Sequence, residues 1–141
     1  MERRRILLVE DDPADEALTM RALRRSSVPC EVKIVRDGAE ALDYLLCQGH
    51  YEGQTLEALP DLVLLDLRLP KIDGLEVLRR IRSHERTKDL KVVVLTASEA
   101  EQDLVQAYGL GATSYLRKAV RQLGLAWLLN SETAGPQGQR H

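Results

Sequence analysis

The sequence predicts a doubly wound α/β fold, with a five-stranded parallel sheet flanked by helices on both faces. Short apolar runs recur along the chain, among them Leu7-Leu8-Val9, Leu62-Val63-Leu64-Leu65 and Val92-Val93-Val94-Leu95. Near-continuous aliphatic runs of this length are how strands buried on both faces read. Helical patterns separate them, which points to βα units rather than hairpins. Each run also ends in polar groups: Glu10-Asp11-Asp12, Asp66, Thr96 and, after Tyr115-Leu116-Arg117, Lys118. In an open α/β sheet the ligand crevice lies at the carboxyl ends of the strands.

In chain order, strand 1 is expected over about Ile6–Val9 and the first helix from Asp12-Pro13 to about Arg25. Asp12 suits the N-cap and Pro13 the first helical turn. Strand 2, about Glu31–Val35, alternates charged and apolar residues as an edge strand does. Asp37-Gly38 opens a second helix, about Ala39–Leu46, with a single apolar stripe. A polar loop from Gly49 to Pro60 precedes strand 3 at about Asp61–Leu65, and Asp73-Gly74 precedes a helix over about Leu75–Ser83. Strand 4 is Lys91–Leu95, and a fourth helix over about Ala100–Tyr108 stops near Gly111. Strand 5, about Ser114–Leu116, leads to a short last helix, about Val120–Leu129. Right-handed crossovers with helices on both faces give the flavodoxin-like strand order 2-1-3-4-5. The switch point then falls between strands 1 and 3 and brings Glu10 and Asp11 beside Asp66.

The chain has 141 residues, 44% apolar and 30% charged, with a net charge of −2. That describes one globular domain, residues 1–130, followed by a flexible polar tail, residues 131–141. The charge balance favours neither nucleic acid nor an anionic membrane. Arg3-Arg4-Arg5 and Arg79-Arg80-x-Arg82 read as solvated faces. No apolar stretch approaches the roughly 18 residues of a membrane span, and the first residues lack the form of a signal peptide. Cys30 and Cys47 have no metal-ligand spacing, so reduced thiols in a cytoplasmic protein are expected.

Three carboxylates, a hydroxyl and an ammonium at one edge suit a divalent cation and a phosphoryl group. Glu10, Asp11 and Asp66 repel one another unless a cation or protons compensate. Oxygen-only ligands beside a phosphate favour Mg²⁺. Asp66, the strand-end carboxylate opposite both others, is the best nucleophile, attacking phosphorus to form an acyl phosphate. Thr96 and Lys118 then contact phosphoryl oxygens, and Ala97 leaves the approach open. Asp12 is read as a helix cap rather than a ligand.

ILLVEDDP, PDLVLLDLRLPKIDGLEVL, VVVLTAS and GATSYLRK together resemble the receiver domain of bacterial two-component response regulators, over about Ile6 to Lys118. The resemblance implies an aspartyl-phosphate switch charged by a histidine kinase. It makes Glu10 and Asp11 the acidic pair and Asp66 the phosphoacceptor. The carbonyl of Arg68 joins the Mg²⁺ ligands, Thr96 becomes the switch hydroxyl, Tyr115 the switch aromatic and Lys118 the phosphate-sensing lysine. The long loop before strand 3, the Asp12-Pro13-Ala14-Asp15 motif and Trp127 are similar to single-domain regulators paired with phytochrome-type kinases.

Two departures from the family stand out. The family usually places proline after its lysine, through a cis peptide, whereas Ala119 follows Lys118 here. A cis bond without proline costs about 2.5–4 kcal/mol, so a trans peptide is expected. The last helix also looks shortened and is apolar nearly all round, which predicts burial or a partner. A homodimer through helix 4, strand 5 and the last helix, with Trp127 near the contact, is the corresponding expectation.

Two other functions remain open on the sequence. A phosphatase of the haloacid dehalogenase class also uses an Asp nucleophile, but it wants an acid two residues later, where Arg68 stands. A receiver-like interaction module that has lost its switch would explain the missing proline and the short last helix. The stretch after Lys118 is too short for a DNA-binding module, so output is expected through an unknown downstream protein.

Overall fold

The computed structural model describes residues 3–53 and 59–133, the side chains of 50, 104–108 and 131–133 excepted. The strands are β1 (Arg4–Val9), β2 (Cys30–Val35), β3 (Leu62–Asp66), β4 (Val92–Thr96) and β5 (Ser114–Arg117). The helices are α1 (Pro13–Arg25), α2 (Gly38–Leu46), α3 (Gly74–Ser83), α4 (Glu99–Tyr108) and α5 (Arg121–Thr133). All four strand pairings are parallel, in the order β2-β1-β3-β4-β5. The expected fold and strand order are therefore present.

Alternation along each strand divides the core in two. Leu7, Val9, Val63, Leu65, Val92 and Val94 face α2 and α3. Ile6, Leu8, Leu62, Leu64, Val93 and Leu95 face α1 and α5. Each fully buried aliphatic side chain contributes about 1.5–3 kcal/mol, so the central strands fix the register strongly. No helix among the described residues is long and apolar enough to cross a membrane.

Caps set the helix starts that matter for the strand-end edge. Asp12, Asp37 and Asp73 each accept a hydrogen bond from the backbone N–H three residues on. Gly74 lets α3 begin directly against the end of β3, because a Cβ there would stand 2.5 Å from the carbonyl oxygen of Asp66. At the end of α4, Gly109 with φ +62° takes the left-handed turn first, ahead of the expected Gly111.

Several expectations need correction. The last helix is not shortened: α5 spans 13 residues, as many as α1. It starts after a 3₁₀ turn at Lys118–Val120 and runs on through Asn130–Thr133, where no Gly or Pro interrupts it. Its last residues occupy the start of the expected tail, whose remainder, residues 134–141, lies outside the described residues. Part of the expected polar loop, residues 54–58, also lies outside them. Tyr51 in that loop is buried, edge-on to Tyr44 at 5.0 Å between ring centroids. Arg79 and Arg80 are solvated and pair with Glu76, but Arg82 donates to the carbonyls of Lys88, Leu90 and Gly111 and so holds the approach to β4.

Candidate functional site

Parallel strands end on one edge, and the register sets what meets there. Val9 pairs with Leu65, Asp66 with Leu95, and Thr96 with Arg117. Glu10, one residue beyond Val9, thus falls beside Asp66, and Lys118, one beyond Arg117, falls beside Thr96. Glu10 and Thr96 are fully buried and Asp66 is 3% exposed.

Lys118 is the centre of the arrangement. Its Nζ lies 2.9 Å from Asp15 Oδ2, 3.2 Å from Asp66 Oδ2 and 3.9 Å from Glu10 Oε1. The other oxygen of Asp66 accepts the backbone N–H of Arg68 at 3.2 Å, and Glu10 Oε2 accepts that of Asp12 at 3.3 Å. Glu10, Asp15 and Asp66 each bring a carboxylate oxygen within 4.8 Å of the others.

Burial first, and then the adjacent Asp66 carboxylate, push the Glu10 carboxyl from 4.5 up to about 8. The Lys118 charge and the Asp12 amide pull it back only in part. Glu10 therefore holds a proton more tightly than a free carboxyl does when no other cation is near. Burial works against the Lys118 ammonium as well, but its bonds to Asp15 and Asp66 and the charges of Asp66 and Glu10 outweigh burial and raise its pKa. Burial would raise Asp15, yet Lys118 and Arg121 together hold it below the usual carboxylate value.

Among the described residues, the buried oxygens Glu10 Oε1 and Thr96 Oγ1 have no hydrogen-bond partner. Such atoms cost free energy in a finished core and mark a place where a ligand completes the bonding. The donors are all oxygen, with excess negative charge, which fits a hard divalent cation with a phosphoryl oxygen.

The edge brings together Glu10, Asp66, Thr96 and Lys118, four of the residues named from the sequence. Arg68 contributes its backbone, while its side chain swings outward to Glu101, whose other oxygen accepts the Ala97 N–H at 2.7 Å. Tyr115 is half-buried on the α2–α3 side of β5. Asp11 is exposed and outside the converging cluster, and Asp12 caps α1 as expected. The Lys118–Ala119 peptide is trans, also as expected. Sequence reasoning missed Asp15 and Arg121. Arg121 is the one charged residue between Val120 and Leu129, and an isolated cation in an apolar helix was the available signal.

The family model of the response regulator receiver domain matches residues 6–129. The chain is a member of that receiver family. Among curated relatives, it is 45% identical over 114 residues to the response regulator Rcp1 of Synechocystis sp., covering 81% of this chain and 76% of Rcp1. It is also similar to the solved bacteriophytochrome response regulator RtBRR, at 46% identity and a TM-score of 0.81, covering 90% of this chain and 77% of that one. The Mn²⁺-bound form of response regulator Rcp1 matches with a TM-score of 0.71 and 38% identity, covering 98% and 96% of the two chains.

This receiver is thus a phosphoacceptor of two-component signalling rather than a turnover enzyme, and the phosphatase alternative falls away. The lost-switch alternative rested on the missing proline and a short last helix, and α5 is 13 residues long. Lys118 nonetheless reaches Asp66 across a trans peptide.

Proposed function

We propose that Asp66 accepts the phosphoryl group from a histidine kinase, with Mg²⁺ held by Glu10, Asp11, Asp66 and the carbonyl of Arg68. The observation that carries this reading is the buried Asp66 carboxylate at the end of β3, 3.2 Å from Lys118 and within reach of Glu10. An Asp66 oxygen attacks phosphorus, the bond to the kinase's histidine nitrogen breaks, and that imidazole leaves with its electron pair. Bound Mg²⁺ supplies charge neutralisation for the phosphoryl oxygens. Lys118 offers a second positive contact, and the Thr96 hydroxyl donates to a phosphoryl oxygen that gives it the partner it lacks.

Asp15 is a poor metal ligand despite its place in the acidic cluster. Its two oxygens are already engaged by Arg121 and Lys118. Asp11, exposed at the rim, has its oxygens free of that competition, which favours it as the ligand beside Glu10 and Asp66.

Thr96 and Tyr115 are the switch pair in this reading. Thr96 closing on the phosphoryl group opens room on its outer side, and the half-buried Tyr115 ring fills it. The altered face formed by α4, β5 and α5 then meets a downstream protein or a second copy of the chain. Leu123 is 78% and Trp127 68% exposed one turn apart on α5, which favours a homodimer through that face. Similarity to Rcp1 and to a bacteriophytochrome response regulator supports a phytochrome-type kinase as the donor and a cytoplasmic setting.

Phosphotransfer from a panel of autophosphorylated histidine kinases, with the modified residue located by mass spectrometry, tests the reading. Rapid transfer from a phytochrome-type kinase to Asp66 is expected. Transfer to another residue, or from none of the panel, would contradict it.

A further inference from the structure

We propose that Arg121, acting through Asp15, is the positioning residue that aims Lys118 at Asp66, in a chain where alanine follows the lysine. The proposal deepens the reading above and rests on Lys118 contacting the phosphoryl group.

Arg121 is 8% exposed and sits at the first turn of α5. Its Nε donates to the carbonyl of Lys118 at 2.8 Å. Its Nη1 donates to the carbonyl of Asp15 at 3.2 Å and to Thr19 Oγ1 at 3.1 Å, and its Nη2 to Asp15 Oδ1 at 3.1 Å. Thr19 is itself fully buried in α1. One planar guanidinium therefore fixes the main chain of Lys118 and the carboxylate that holds the Lys118 ammonium, both against α1. Only arginine offers that fork of donors in a rigid plane.

The consequence is geometric. The Lys118 side chain emerges from a 3₁₀ turn with a trans peptide, so no proline ring dictates its direction. Instead Arg121 pins its carbonyl at one end, and Asp15 shares its ammonium with Asp66 at the other. The first turn of α1 thus becomes part of the site, which accounts for Asp15 in the Asp12-Pro13-Ala14-Asp15 motif. When Asp66 carries a phosphoryl group, the ammonium needs only to shift from Asp15 towards it, while Arg121 keeps Asp15 neutralised.

A double-mutant cycle on the full chain, read by the affinity for beryllium fluoride in saturating Mg²⁺, tests the proposal. Lys118→Ala and Arg121→Ala should each weaken binding by about tenfold to a hundredfold, the size of one lost charge-assisted hydrogen bond. The double variant should be no weaker than Lys118→Ala alone, because both losses pass through the same ammonium. Arg121→Lys keeps the charge without the fork; it should fold if Arg121→Ala does not, and should recover part of the affinity. The Mg²⁺ affinity of each variant should change far less. A Lys118 effect with no Arg121 effect, or two effects that add in full, would overturn the clamp alone. Wild-type affinity in Lys118→Ala would overturn the role of the lysine and the clamp with it.

Discussion

The ammonium of Lys118 stands 3.2 Å from Oδ2 of Asp66, on a lysine whose following peptide is trans. Three carboxylates rather than a peptide isomer hold it there, and its side chain is only 17% exposed. The same contacts that aim it also relieve repulsion among Glu10, Asp15 and Asp66. Lys118→Ala should therefore cost about 1–3 kcal/mol of stability in chelator, the penalty of leaving charged acceptors unpaired. Added Mg²⁺ should reduce that loss. Urea unfolding with and without Mg²⁺ checks both, and an unchanged midpoint in chelator would count against the ammonium's structural share.

Glu10 gives the cation-free protein a signed pH dependence. Its carboxyl is raised from 4.5 to about 8 in the fold, mainly by burial. The native state therefore binds the proton more tightly than the unfolded chain does. Its contribution is fully present below the unfolded value and is lost as pH rises through the folded one. In chelator, stability should fall between roughly pH 4.5 and 8, and Glu10→Gln should flatten that fall and be the more stable protein at pH 8. Mg²⁺ should also bind more tightly as pH rises through the same range. Parallel stability curves for the two proteins would refute the assignment.

Asp11 and Asp12 are adjacent but should behave oppositely. Asp12 accepts the Asp15 N–H at 2.8 Å and caps α1, so Asp12→Ala should lose about 1 kcal/mol whether or not Mg²⁺ is present. Asp11→Ala should hardly change the chelated protein, yet lose most of the Mg²⁺-induced rise in Tm. Thermal melts across a Mg²⁺ series separate the two. Equal loss of the Mg²⁺ response in both would show that the ranking is wrong.

The bare face of α5 should drive self-association. Leu125 and Leu129 are fully buried against the sheet, whereas Leu123 and Trp127 point away from it. Aromatic anchors of this kind dominate interface energetics, so Trp127→Ala should shift a dimer towards monomer by about tenfold or more in Kd. Light scattering over a concentration series measures it. A wild-type monomer at high concentration, or a dimer indifferent to the substitution, would remove this surface from the account.

The strand-end residues were legible in the sequence because topology converts local endings into one shared edge. Leu62–Leu65 ending in Asp66, and Val92–Leu95 ending in Thr96, need only the strand order to become neighbours. Asp15 and Arg121 were not legible, because their meeting depends on how α1 and α5 pack on the same face of the sheet. No periodicity states the rotation of one helix against another. The length of α5 was misread for a different reason: Asn130 and Ser131 are weak helix formers, yet Leu125, Leu128 and Leu129 anchor the preceding turns on the core. The trans peptide at Lys118 followed from covalent chemistry alone.

Asp66 as phosphoacceptor is tested by incubating wild-type and Asp66→Asn proteins with radiolabelled acetyl phosphate and measuring retained label. Wild type should gain one acid-labile, hydroxylamine-sensitive phosphate per chain only when Mg²⁺ is present, and Asp66→Asn should gain none. Label of the same sensitivity on Asp66→Asn, or Mg²⁺-independent label on wild type, would contradict the account.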